Sequence, residues 1–156
     1  MIQTEMIVPM TGYTQFLTPA FAVAKKSGKA RMVCDFSSTL NPQILSPICY
    51  TKSTSAIFQA FEPGATLFIN MDLTDGFFGI RIHEDSQHLL AVISELGKAC
   101  LTRLAQGMLS SSHIFNEQTE MCLTREVMKV CVKVTDDLAP SGNSLEQVLE
   151  RLELIL

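Results

Sequence analysis

The chain is predicted to be an α+β protein of mixed strands and helices with antiparallel strand pairs. Three observations carry that expectation. Short alternating or apolar stretches are joined by turns rich in glycine, lysine or aspartate. Stretches with helical spacing separate these hairpins, and strands and helices do not alternate one for one. That order argues against a doubly wound parallel sheet.

The first hairpin spans Pro19 to Phe36. Ala20 to Ala24 is apolar, Lys25 to Lys29 is a turn containing glycine, and Arg31 to Phe36 resumes the strand. Asn41-Pro42 and Ser46-Pro47 mark an irregular connection. Ser53 can cap a helix that runs to Phe61 and stops at Pro63-Gly64. Thr66 to Leu73 reads as a buried strand. After a turn at Asp75-Gly76, the alternation from Gly79 to His83 reads as a half-exposed strand.

Leu89 to Ile93 and Ala99 to Leu104 flank Glu95 to Lys98 as a second hairpin. Ser110 to Ser112 open a helix in which Ile114, Phe115, Gln118, Met121 and Cys122 keep helical spacing. Lys129 to Thr135 alternates into Asp136-Asp137, expected at the tip of a third hairpin that leaves through Leu138-Ala139. In the last helix Leu145, Val148, Leu149, Leu152, Ile155 and Leu156 form one apolar stripe, and Ser144 with Gln147 can make a capping box. The stripe continues to the final residue with no stop signal, which predicts a piece cut from a longer protein.

With 156 residues, 47% of them hydrophobic, the chain can bury a core and is not composed like a disordered segment. No apolar run approaches the roughly 20 residues of a membrane span, and Met1 to Glu5 lacks a secretory pattern. Cys34, Cys49, Cys100, Cys122 and Cys131 show no Cys-x-x-Cys spacing and read as buried, reduced thiols of a cytosolic or nuclear protein. His83, His88 and His113 lack metal-ligand spacing, and the eight methionines read as core packing. The net charge of −4 is unevenly placed. Residues 1–60 hold five basic and two acidic groups, whereas residues 61–156 hold seven basic and fourteen acidic ones. An acidic half beside a basic lobe suits a phosphate-handling site whose cation reverses the local field.

The chemistry concentrates in Asp72, which ends the run from Thr66, and in the pair Asp136-Asp137. Carboxylates delivered from two distant parts of a chain repel one another unless a divalent cation sits between them. Oxygen donors with open positions suit Mg2+, which keeps waters and takes phosphate oxygens as partners. The pattern points to metal-assisted phosphoryl or nucleotidyl transfer.

On these residues the chain resembles the reverse transcriptases of retroviruses and long-terminal-repeat retrotransposons, in order along nearly its whole length. The stretch from Met71 to His83 is similar to the family's first catalytic motif. The resemblance implies that Asp72 is a metal ligand with the Leu73 carbonyl, and that amides near Asp75 and Gly76 meet the triphosphate. It also implies that Phe77 excludes a ribose 2′-hydroxyl. Leu104 to Phe115 resembles the segment beneath the nascent base pair, with Gln106 and Gly107 as nucleotide contacts. Phe21 to Phe36 resembles the fingers hairpin, with Lys25 or Lys26 and Arg31 on the triphosphate. Asp136-Asp137 falls on the aromatic-x-Asp-Asp signature, and Leu145 to Leu156 resembles the palm helix after it.

The implied architecture is a palm, an antiparallel sheet with helices packed on one face, about residues 66–156, with a partial fingers region, about 15–65, ending before a thumb or ribonuclease H domain. The implied function is RNA-directed DNA synthesis on an RNA or DNA template-primer from dNTPs. Two Mg2+ ions, or Mn2+ in their place, would be held by Asp72, Asp136 and Asp137, with Asp137 the less direct ligand. Val134 replaces the usual aromatic, Pro140 falls in the departing strand, Ser112 stands where proline is common, and Leu89 where many relatives have lysine. These departures leave open an inactive remnant that acts as a nucleic-acid-binding or interaction domain. Asp72 to Asp75 superficially resembles a phosphoaspartate loop, but a receiver-like protein needs the alternating order absent here.

Overall fold

Where the hairpin signals fall, strands form. The structure, a computed structural model, describes residues 6–24, 28, 30–45 and 53–156. It divides into two compact units, residues 1–48 with 77–113, and residues 49–76 with 114–156.

The first unit is built on a five-stranded sheet. Strands β1 (Ile7–Pro9), β2 (Thr18–Ala24), β3 (Ala30–Cys34), β6 (Ala91–Ser94) and β7 (Gly97–Leu101) lie in the order β1-β7-β6-β2-β3. β2 and β3 form the first hairpin with Ala20 opposite Cys34 and Val23 opposite Arg31. β6 and β7 form the second, and only the β2–β6 contact is parallel. β1 carried no sequence signal: three residues are too few to show a period. Cys34, Phe36, Leu40, Leu90, Val92, Leu101 and Ala105 form the core. Thr18 is fully buried, and its hydroxyl is satisfied by Thr39 Oγ1 at 2.7 Å.

The expected strand from Gly79 to His83 is instead a helical turn, α2 (Gly76–Gly79), followed by a single antiparallel bridge between Arg81 and Arg103. Asp75 adopts φ +52°, which reverses the chain, and Ile80 N–H then donates to Phe77 O. A short α3 (Glu84–Gln87) leads into β6.

In the second unit, β9 (Asp137–Gly142) is central. It pairs along one edge with β8 (Cys131–Val134), and along the other with β4 (Leu67–Phe68) and β5 (Met71–Asp72). The expected continuous buried strand from Thr66 to Leu73 is therefore two short ones, and Phe68 is 55% exposed. Pro140 explains the interruption. Its carbonyl accepts from Ile69 N at 3.0 Å, but it has no N–H to return on that edge, and the gap between β4 and β5 lies there.

Four helices complete this unit: α1 (Thr54–Ala60), α4 (Ser111–Cys122, its first turn counted with the other unit), α5 (Arg125–Val130) and α6 (Leu145–Ile155). Ser53 caps α1 as expected, accepting from Ala56 N at 3.2 Å. α5 replaces the start of the expected strand, because Thr124 caps it through Val127 N and draws Lys129 and Val130 into the helix. Ser144 caps α6, but Gln147 reaches back to Asn143 N–H at 2.7 Å, one residue outside a standard capping box. The apolar stripe of α6 buries Val148, while Leu145, Leu149 and Leu156 stay exposed. Arg151 reaches Glu62 at 2.6 Å and also donates to Ser141 O, fastening α6 to β9. No helix among the described residues is long and apolar enough to cross a membrane.

The thiols depart from expectation at two points. Cys34 and Cys131 are buried, and burial pushes the Cys34 thiol up to about 11, but Cys100 is half-buried and Cys122 is exposed at the end of α4. Cys49 lies outside the described residues.

A Cβ at Gly142 would stand 2.7 Å from Gln147 Oε1 and 2.9 Å from Val148 Cγ2, whereas one at Gly79 would meet nothing. Gly142→Ala is expected to lower stability by about 1–3 kcal/mol, and Gly79→Ala to stay within about 0.5 kcal/mol of wild type. Urea unfolding of both variants measures the contrast, and equal midpoints would contradict it.

Candidate functional site

The alternation of β8 carries the chain to a two-residue turn, Thr135-Asp136, with Val134 opposite Asp137. The two acids therefore do not share the tip: Asp136 is in the turn and Asp137 is the first residue of β9. Thr135 takes φ +52°, a left-handed conformation that a β-branched side chain resists.

β5 delivers the third acid. Asp72 pairs with Asp137 and Met71 with Leu138. Leu73 N–H donates to Asp136 O at 3.0 Å, so the Asp72–Asp137 pair is of the non-hydrogen-bonded kind, whose side chains stand closer. Paired residues project from the same face of a sheet. Like charges directly opposite are destabilising, and a cation relieves them. Asp72 is exposed, while Asp136 and Asp137 are half-buried.

The donors gathered here are all oxygen, which fits a hard divalent cation. Among the described residues no three Asp, Glu, His or Cys side chains are close enough together to enclose a metal ion. The convergence is one of backbone, and the fit rests on strand register and donor chemistry. The Leu73 carbonyl accepts from Gly76 N–H at 3.0 Å, so both groups are engaged within their own turn. Asp75 is exposed beside them. A Cβ on Gly76 would come within 3.0 Å of Phe115 Cζ, so glycine lets this loop lie on the ring.

A second group forms within the other unit. Arg31 on β3 donates from Nη2 to Gln106 Oε1. Gly107 follows with φ +97°, and a Cβ there would stand 3.0 Å from Cys34 O. Glycine is thus required both by conformation and by the close approach to β3. Phe77, at the second position of α2, is 7% exposed. Lys25 and Lys26 lie outside the described residues.

Two contributors escaped the sequence reading. Asn41 Nδ2 donates to Gly107 O at 3.1 Å and its Oδ1 accepts from Leu109 N at 2.8 Å, pinning the Gln106-Gly107 loop. Its only signal was the Asn-Pro dipeptide, which reads as a turn. The other is Lys133 on β8, 3% exposed, with Nζ 2.7 Å from Asn116 Oδ1 and 5.8 Å from the centroid of Phe115. A lysine in an alternating strand reads as its solvent side.

Asn tolerates the left-handed region better than Thr. Thr135→Asn is expected to raise stability by about 0.5–1 kcal/mol, read as a higher urea midpoint. A lower midpoint would mean that the turn is not strained at Thr135.

No family model matches the chain. The Pro-Pol polyprotein of Simian foamy virus type 1 is 32% identical over 138 residues, covering 88% of this chain and 12% of the polyprotein. The Gag-Pol polyprotein of Walleye dermal sarcoma virus is 30% identical over 131 residues, covering 80% of this chain and 7% of the polyprotein. The chain thus spans about an eighth or less of the length of these relatives. The crystal structure of native Prototype Foamy Virus protease-reverse transcriptase superposes with a TM-score of 0.80 at 22% identity, over 99% of this chain and 20% of that one. A foamy viral protease-reverse transcriptase solved in complex with double-stranded DNA gives a TM-score of 0.79 at 25% identity, over 99% of this chain and 26% of that one. With its α+β fold and these relatives together, the chain belongs with the retroviral pol polyproteins, as a fragment of the reverse-transcriptase type.

Proposed function

We propose that the chain is the fingers and palm part of an RNA-directed DNA polymerase, working within a longer pol polyprotein that supplies the thumb and ribonuclease H regions. The observation that carries this reading is the register that sets Asp72 opposite Asp137, with Leu73 bonded to Asp136 O. Two acid-bearing segments held at adjacent strand positions are what nucleotidyl transfer assisted by metal needs. The foamy viral relative bound to double-stranded DNA supports a template-primer as partner.

Asp72 and Asp136 would hold two Mg2+ ions, with Asp137 completing or supporting the site. When bound, the ions supply activation of a primer 3′-hydroxyl and charge neutralisation on the triphosphate. The chain's own residues orient the reactants. Arg31 offers a planar fork of donors to phosphate oxygens, and Lys25 or Lys26 a compact charge. Gln106, held by Arg31 and by the loop that Asn41 pins, shapes the nucleotide site with Gly107. The ring of Phe77 would leave no room for a ribose 2′-hydroxyl and so select dNTPs. The amides around Asp75 and Gly76 would approach the triphosphate once their turn opens. Contacts to template and primer fall mainly on the phosphate backbone, which makes binding salt-dependent and sequence-tolerant.

In the full reverse-transcriptase region, Asp72→Asn or Asp136→Asn should reduce Mg2+-dependent dNTP incorporation by at least about a hundredfold, with the circular-dichroism spectrum unchanged. Near-normal primer extension by either variant would overturn the assignment. Phe77→Val should narrow the preference for dNTPs over ribonucleotides by about tenfold or more. An unchanged ratio of the two incorporation efficiencies would remove Phe77 from the sugar pocket.

A further inference from the structure

A lysine buried to 3% exposure is costly unless something holds its charge, and Lys133 is held by two groups of α4. Asn116 Oδ1 accepts from its Nζ at 2.7 Å. The Phe115 ring lies below the ammonium, 5.8 Å from Nζ to centroid, within the range of a cation–π contact. Phe115, itself 1% exposed, meets the first acid-bearing loop on another side, where Gly76 has no Cβ to keep the ring away. Lys133 stands three residues before Asp136 and opposite Leu138. It therefore projects from the sheet face opposite to Asp72 and Asp137. One contact chain, Gly76–Phe115–Lys133, thus runs behind the sheet from the Asp72 loop to the strand that carries the Asp136 turn. Asn116 anchors it to α4.

We propose that Lys133, with Asn116 and Phe115, is a positioning unit that sets the spacing between the Asp72 segment and the Asp136-Asp137 segment. It touches neither substrate nor cation. Bringing carboxylates together opposes itself electrostatically, and two paired residues of β5 are a slender restraint on their own. A charged side chain locked into α4 beneath them resists that separation. An apolar residue of equal length would fill the space without the directional bond. The proposal rests on the polymerase reading only for its consequence, which is cation affinity.

The test uses the full reverse-transcriptase region with two readouts. In the absence of metal, hydrogen exchange follows the Leu73 amide, whose N–H donates to Asp136 O across the two segments. Asn116→Ala and Lys133→Met should each speed that exchange about tenfold, while amides of β6 and β7 stay as in wild type. Asn116→Asp, which keeps an acceptor oxygen in place, should restore wild-type exchange. Direct titration with Mn2+ alone should show about tenfold weaker binding for both disruptive variants, and the double variant should be no worse than either single one. Unchanged Leu73 exchange in Asn116→Ala and Lys133→Met would overturn the positioning role. Tighter Mn2+ binding by Lys133→Met would also overturn it, since Lys133 would then act only as a repelling charge. A wild-type protein that binds no Mn2+ would refute the polymerase reading, while the exchange result would still decide the positioning role.

Discussion

The register of β5 on β9 is the constraint on which the rest of the second unit depends. Only two residue pairs define it, yet a slip of one position would carry Asp72 to the opposite face of the sheet. Packing forbids that slip. Met71 and Leu73 flank Asp72 and join the cluster of Val127, Cys131 and Leu138. Alternation then leaves Asp72 no face but the one it shares with Asp137. The bond from Ile69 N to Pro140 O and the pairing of Leu67 with Gly142 extend the same alignment along β9. The position of a charged group is thus set by apolar neighbours on either side of it.

Each unit resolves its charge differently. In the first, Arg31 is steered by a neutral partner, Gln106, and the loop carrying Gln106 is held by Asn41. That contact restricts the direction of the guanidinium through a partner that carries no charge of its own. In the second, strand register sets Asp72 opposite Asp137 with Asp136 in the adjoining turn, and the one deeply buried ammonium among the described residues lies on the other face of the sheet. Composition hinted at this division, with basic groups early and acidic groups late, but showed nothing of how either set is oriented.

What the sequence made legible follows from what is local. The hairpins of the first unit appear as alternation broken by turn residues, and α6 announces itself through Ser144 and its apolar spacing. Asp72 and Asp136 are visible because each ends a run of regular character. Errors arose where a short segment supports two periods. Val130, Val132 and Val134 read as one alternation from Lys129 until Thr124 supplies a helix cap that takes in Lys129 and Val130. Gly79 to His83 alternates well, yet the left-handed Asp75 turns the chain into a helical turn first. The apolar run from Thr66 reads as buried because hydropathy cannot see that Pro140 will split its partner edge. Lys133 was unreadable for another reason: its burial is decided by Asn116, seventeen residues earlier.

The missing amide of Pro140 has a mechanical consequence. With one bond of its rung absent, β5 is tied to β4 along β9 less firmly than in an unbroken ladder. Asp72 therefore rides on a short flap with a built-in joint behind it. If the proposed cation and nucleotide bind here, a joint of this kind lets Asp72 adjust to them without unzipping the strand before it.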